Sequence, residues 1–312
     1  MKKIWNFLKH HIREDFNASH YLLVALFLSV CIYLNYRFDF EDSFLDAKPG
    51  FEKWLFYFIT YSVAFYFTAL SYLYFSKKLY VLVEQDFWIK SILALVLLSA
   101  DASTPFLRDG INAFVNPALQ FWTYKVMVNL ISFVIVFLPI MIFYFFYEKE
   151  QKNYYGLSAR KFDFTPYVVM LMIMVPLIAG VSFHESFLRQ YPMYKTSGAH
   201  DYLNVEEWVT ALIYETAYGF DFVTVEFLFR GFMVIGLMTS LGRGAVLTMA
   251  VTYCFLHFGK PPGEAISSIF GGYILGVIAY ETKSIWGGIV IHIGIAWSME
   301  LAAYLQKTFA NA

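Results

Sequence analysis

Residues 225–232 read VEFLFRGF. The stretch sets Glu226 and Arg230 four positions apart, with three apolar residues between them. Positions i and i+4 share one face of a helix, so the carboxylate and the guanidinium stand one turn apart on the same side. Long apolar runs flank the pair on both sides. A charge inside a membrane helix costs roughly 2.5–3.5 kcal/mol on insertion scales and faces a protein interior or a wet cavity. The pair is therefore either an ion pair that locks a helical bundle or part of a polar site within one.

The rest of the chain supports a membrane setting. Its 312 residues are 59% hydrophobic and 21% aromatic, with only 15% charged. A soluble domain is closer to about 45–50% apolar and about 25% charged. The surplus apolar surface requires lipid, which implies an all-α, polytopic transmembrane helical bundle. A net charge of -1 argues against nucleic acid as a partner. Cys31 and Cys254 both fall inside apolar runs, which argues against a structural disulfide, and they form no cysteine metal pattern. The opening stretch, MKKIWNFLKHHIREDFN, is basic and amphipathic and has no small-residue cleavage site before the first apolar run. It reads as an interfacial segment rather than a signal peptide.

Apolar runs mark candidate spans at 20–36, 54–76, 87–104, 123–147, 165–183, 219–240, 243–259, 264–281 and 285–306. Several are short or interrupted, which gives eight to nine spans. The Lys/Arg bias orients them. The N-terminus is basic, and alternate loops carry Lys77 and Lys78, then Lys149, Lys152, Arg160 and Lys161, then Arg243, then Lys283. The intervening loops are mixed in sign. The expectation is a cytoplasmic N-terminus in a cell membrane, with a bacterial inner membrane suggested by the lack of any organelle signal.

Two histidines, His257 in TYCFLHFGKPPGE and His292 in SIWGGIVIHIGIAW, lie within late apolar spans. The turn SLGRG, 240–244, lies about 15 residues from both Glu226 and His257, or roughly 22 Å along straight helices. A hairpin there sets Glu226 and His257 at one depth. His292 follows the turn ETKS by about eight residues, roughly 12 Å, so it is expected at a different level.

At these residues the sequence resembles the CAAX protease and bacteriocin-processing (CPBP, or Abi) family of intramembrane glutamic proteases. That family carries Glu-Glu-x-x-x-Arg, Phe-x-x-x-His and His-x-x-x-Asn/Asp on successive helices. Here the motifs are Val225-Glu226-x-x-x-Arg230, Tyr253-x-x-x-His257 and His292-x-x-x-Ala296. The resemblance covers about residues 205–306. It implies a hydrolase site buried in the membrane. A glutamate and the second-motif histidine would activate water, and the third-motif histidine would bind the oxyanion. A carboxylate in an apolar site has raised proton affinity and serves as a base near neutral pH. Donors aimed at a developing oxyanion lower the barrier. The resemblance makes Glu226, Arg230, His257 and His292 the candidate catalytic residues, with Arg230 pairing with Glu226.

Two positions depart from the motifs. Val225 replaces the first glutamate, and Ala296 replaces the asparagine. Glu226 sits about 100° around the helix from position 225. Asp221 and Glu215 are alternative carboxylates that face elsewhere by helical phase, and Tyr253 and Ser298 are alternative donors. Three readings stay open at this stage. One is a metal-independent intramembrane peptidase acting on a membrane peptide or protein. Another is a catalytically impaired scaffold that binds such a peptide. The last is a zinc site of Glu226, His257 and His292, a ligand set zinc accepts but that the Arg230 charge disfavours; no cofactor is otherwise implied. The chain is divided into an amphipathic N-terminal segment (1–19), N-terminal spans (20–204), the motif-bearing core (205–306) and a tail (307–312). The polar stretch 183–208, with His184 and His200, reads as a solvated loop.

Overall fold

The computed structural model describes residues 2–148, 152–158 and 163–310. Lys149, Arg160 and Lys161 of the basic loops lie outside the described residues. Every regular element among the described residues is helical. The frame consists of α1 (Lys2–Asp15), α2 (Ala18–Phe38), α3 (Gly50–Phe75), α4 (Gln85–Ser103), α5 (Pro117–Tyr147), α6 (Thr165–Val181), α7 (Glu207–Glu226), α8 (Gly244–Phe255), α9 (Pro262–Thr282) and α10 (Trp286–Ala310). α7 runs directly into a π-helical segment, Phe227–Gly236. Local chemistry sets several starts. Asn17 accepts the His20 amide at the head of α2. Asn116 accepts the Ala118 amide ahead of Pro117, whose missing N–H is no loss in a first turn.

The protein is an integral membrane protein with an all-α bundle. Each of the nine apolar stretches is at least partly helical, but fewer qualify as spans. Among the described residues five helices are long and apolar enough to cross a membrane: α2, α3, α5, α9 and α10. Taking α4 together with Phe106–Phe114, bent from it by 41°, gives six. The expected eight to nine is not confirmed by length and composition, and the stretches that fall short do so for physical reasons. α8 has only 12 residues, short of the about 20 that cross a bilayer core, and α6, with 17, sits at the lower limit. α7 and its π continuation carry Glu207, Glu215, Asp221, Glu226 and Arg230, too many charges for a simple span.

α8 packs against both α3 and α9, at the centre of an apolar cluster. That cluster draws on Phe65 and Leu73 of α3, Phe87 and Leu95 of α4, Phe229 and Phe232 of the π segment, and Val246 and Val251 of α8. It therefore spans both the 20–204 and 205–306 segments. A buried lysine ties them further. Lys90 Nζ donates to the Gly236 carbonyl at 3.0 Å, at the end of the π segment, and pairs with Asp86 at 3.0 Å and with Glu148.

The basic loops meet at one end of the bundle. Arg243 donates to His11 Nδ1 at 3.2 Å and to His10 Nε2 at 3.0 Å, and pairs with Glu281. Lys78 reaches the turn at Gly242, where φ is +56° and a side chain would be strained. The Lys283 carbonyl accepts from Asn153 at 3.0 Å. α1 is thus docked on α9, with His11 buried edge-on between Tyr273 and Tyr280.

That docking carries a pH dependence. Burial, and then the charges of Arg243 and His10, lower the His11 pKa to about 3. An unfolded chain protonates the same imidazole near its ordinary 6.5. Between those values the unfolded state holds the extra proton, so stability is present above pH 6.5 and is lost as pH falls toward 3. Acidification from pH 6.5 to 5 is expected to remove about 2 kcal/mol. Thermal melts of the detergent-purified protein across this range should show the loss, and His11→Gln should flatten the slope.

Candidate active site

Glu226 closes α7, and Arg230 lies one turn on, inside the π segment. Hydrogen bonding from i to i+5 widens this helix, a feature that recurs at functional sites. Both side chains are fully buried. Arg230 Nη1 lies 2.9 Å from Glu226 Oε1 but out of line for a hydrogen bond, so Nη1 and Nε have no hydrogen-bond partner. The guanidinium sits over the Tyr253 ring, 4.6 Å from its centre, where the ring's negative face attracts it.

The same Glu226 oxygen meets His292 Nδ1 at 2.9 Å. A carboxylate only accepts, so Nδ1 carries the proton and the lone pair falls on Nε2. Tyr253 donates its hydroxyl to that Nε2 at 3.1 Å. Phe222, one turn before Glu226, lies against the imidazole with ring centres 4.3 Å apart. His257 is held differently. Its Nδ1 donates to the Tyr253 carbonyl at 2.9 Å, which again leaves Nε2 as the acceptor. Its ring packs on the Tyr253 ring at 4.5 Å. Both imidazoles therefore border one tyrosine, and each has its lone pair on Nε2.

This arrangement corrects the depth expected from chain counting. Glu226 meets His292, not His257. Glu226 is 0% exposed at its side chain, whereas His292 is 17% exposed. The other glutamate oxygen, Oε2, is buried without a partner and presses on the Gly288 backbone. A Cβ at position 288 would lie 1.9 Å from it. Water therefore reaches the histidine and not the carboxylate. Gly288→Ala is expected to drive Glu226 off His292, costing about 1–3 kcal/mol in overpacking and at least about 10²-fold in any activity that uses the pair. Gly271→Ala, where a Cβ meets open space, is the matched control. Equal melting temperatures and equal rates in the two variants would refute this.

The alternative residues separate clearly. Asp221 points away and shares Ser132 of α5 with Asp101 of α4. Glu215 bonds to Glu300, and Glu300 accepts the Met193 amide at 2.7 Å. That contact helps pin the stretch expected to be a solvated loop; Phe187 and Tyr191 within it are buried. His184 is exposed and His200 half-buried, both away from the pair. Ser298 bonds back to the Gly294 carbonyl at 2.6 Å. The zinc set of Glu226, His257 and His292 does not form: among the described residues no three His, Cys, Asp or Glu side chains converge as metal ligands. The Glu226 oxygen that would bind is held between Arg230 and His292. Gly288 and Phe222 were not singled out in the sequence. Their only signal is position, one turn before His292 and one turn before Glu226.

Residues 207–298 match the family model described as type II CAAX prenyl endopeptidase Rce1-like. Over this segment the chain is similar to the type II CAAX endopeptidases. The match runs from the start of α7 to the middle of α10 and includes Glu226, Arg230, His257 and His292. No curated protein and no solved structure matches the chain.

Proposed function

We propose that this protein is a metal-independent intramembrane endopeptidase in which His292, oriented by Glu226, is the general base. The contact between Glu226 Oε1 and His292 Nδ1 carries the reading. It fixes the tautomer, stabilises the imidazolium that forms on proton transfer, and keeps the lone pair of this partly exposed histidine on Nε2, which takes a proton from water once the Tyr253 hydroxyl turns from it toward the substrate. The hydroxyl oxygen then attacks the peptide carbonyl carbon. His292 returns the proton to the leaving nitrogen as the C–N bond breaks, giving a carboxyl group and an amine. Tyr253 and His257 border the same space, and the Tyr253 hydroxyl is the nearest donor for the oxyanion. This reverses the roles first assigned to the two histidines. The gathering of His10, Lys78, Arg243 and Lys283 at one end of the bundle supports a cytoplasmic N-terminus.

A second reading has its own observation. Val225, at the first-glutamate position, packs against the apolar core, and Ala296 is buried without a donor side chain. These favour a scaffold that binds a membrane peptide without cutting it. The two readings separate in proteoliposomes supplied with membrane proteins and examined by mass spectrometry. The peptidase predicts peptides that appear with the wild type and vanish in the His257→Ala/His292→Gln variant. Identical peptide sets, with substrate retained by both proteins, would establish the scaffold instead.

A further inference from the structure

His257 stands just past the end of a helix. α8 stops at Phe255, and the chain turns through His257 N to Cys254 O at 3.0 Å and Lys260 N to His257 O at 3.0 Å. Among the described residues its imidazole makes one hydrogen bond, to the Tyr253 carbonyl. A helix end leaves carbonyls without helical partners; within the family-matched segment Cys254 Sγ donates to the Ala265 carbonyl at 3.3 Å and Phe255 stacks on Phe258, while the carbonyls of Phe258 and Lys260 take their side-chain donors from elsewhere.

The elbow after α2 supplies them. Asn35, buried in α2, donates from Nδ2 to the Phe258 carbonyl at 3.0 Å. Its Oδ1 accepts the Glu41 amide at 3.1 Å, which joins the helix to the bend beyond it. Tyr36 donates its hydroxyl to the Lys260 carbonyl at 2.7 Å. The Glu41 carboxylate accepts the Gly259 N–H, and a Cβ on Gly259 would come within 3.3 Å of it. Tyr57 of α3 donates its hydroxyl to Asp46 at 2.7 Å and lies 3.3 Å from the Glu41 carboxylate, bracing the elbow from behind. Three consecutive residues after His257 are each gripped by one side chain from 35–41.

We propose that the elbow formed by Asn35, Tyr36 and Glu41 is the positioning clamp that sets His257 at the active site. The clamp comes from outside residues 207–298 and gives the N-terminal spans a part in the chemistry. The inference rests on the peptidase reading for its effect on rate, but not for its effect on the imidazole.

The test uses the full chain in detergent with two variants, Asn35→Leu and Tyr36→Phe, combined. Leu keeps the branched shape of Asn without its polar atoms, and Phe removes only a hydroxyl. Hydrogen exchange at histidine Cε1, followed by mass spectrometry, reports each imidazole separately. The clamp predicts at least a threefold change in the exchange rate of His257, with His292 unchanged. It also predicts a kcat lowered about tenfold, with KM within twofold. Exchange and kcat both within twofold of wild type would overturn it. So would His257 and His292 changing together with a lowered melting temperature, which marks general loosening. If the wild type cleaves nothing, the exchange comparison still decides: a change confined to His257 supports the clamp while the peptidase reading fails.

Discussion

His292→Gln is expected to lower peptide cleavage by about 10²–10⁴-fold, the usual contribution of a positioned base, with little change in stability. The reason is the order of contacts. Glu226 keeps its 2.9 Å approach to Arg230 when His292 is replaced, so no buried charge is orphaned. The Gln amide can still donate to Glu226 Oε1, but it offers no lone pair of useful basicity where Nε2 stood. Glu226→Gln should behave differently. Its amide nitrogen can donate to His292 Nδ1, which moves the proton to Nε2 and blocks that atom as a base. It also leaves Arg230 without a counter-charge in a buried site, so this variant should lose both activity and stability. Rates on one reconstituted peptide substrate, measured beside thermal melts, separate the two. A His292→Gln enzyme with more than about a tenth of wild-type activity would exclude His292 as the base, since even modest general-base catalysis exceeds that factor.

Much of the architecture was legible because apolar runs are a direct readout of lipid. α2, α3, α5, α9 and α10 each fall on a run marked in the sequence. The Glu226–Arg230 pair was legible because i,i+4 spacing survives almost any helix geometry. The Glu226–His292 contact was not, and the cause is specific. Counting residues assumed straight α-helices of uniform rise. Ile235 and Ile285 both contact Gly156, within 2.8 Å and 3.1 Å of its ideal Cβ, which sets them at one level. From there Glu226 is about nine residues away, and His292 about seven, roughly 10 Å along an α-helix. The nine residues run almost wholly through a π segment, which is wider and so rises less per residue. The turn around Gly242 consumes further residues that a hairpin estimate counted as depth. The clamp on His257 was invisible for another reason. Asn35 and Phe258 are 223 positions apart, and no periodic pattern encodes such a pairing.

Arg230→Met should be the most destabilising single change in the site, at about 3–5 kcal/mol, or roughly a 6 °C fall in melting temperature for a chain of this length. Removing the guanidinium leaves Glu226 fully buried with only a neutral imidazole as partner, and its Oε2 already lacks one. An uncompensated buried carboxylate is the expensive state, whereas a buried pair as a whole is close to neutral against apolar residues of similar size. The double variant Glu226→Leu/Arg230→Met is therefore expected to recover most of the lost stability while remaining inactive. The cycle of wild type, both singles and the double gives the coupling directly. Its outcome bears on the chemistry as well. If Arg230→Met costs less than about 1 kcal/mol, far below the range for a broken buried ion pair, then Glu226 is a protonated acid in the resting protein. A protonated Glu226 would donate to His292 Nδ1 rather than accept from it. The proton would then sit on Nε2, and His292 would be an acid or an oxyanion donor, not the base. A full loss, with recovery in the double variant, fixes Glu226 as the anion that the proposed mechanism requires.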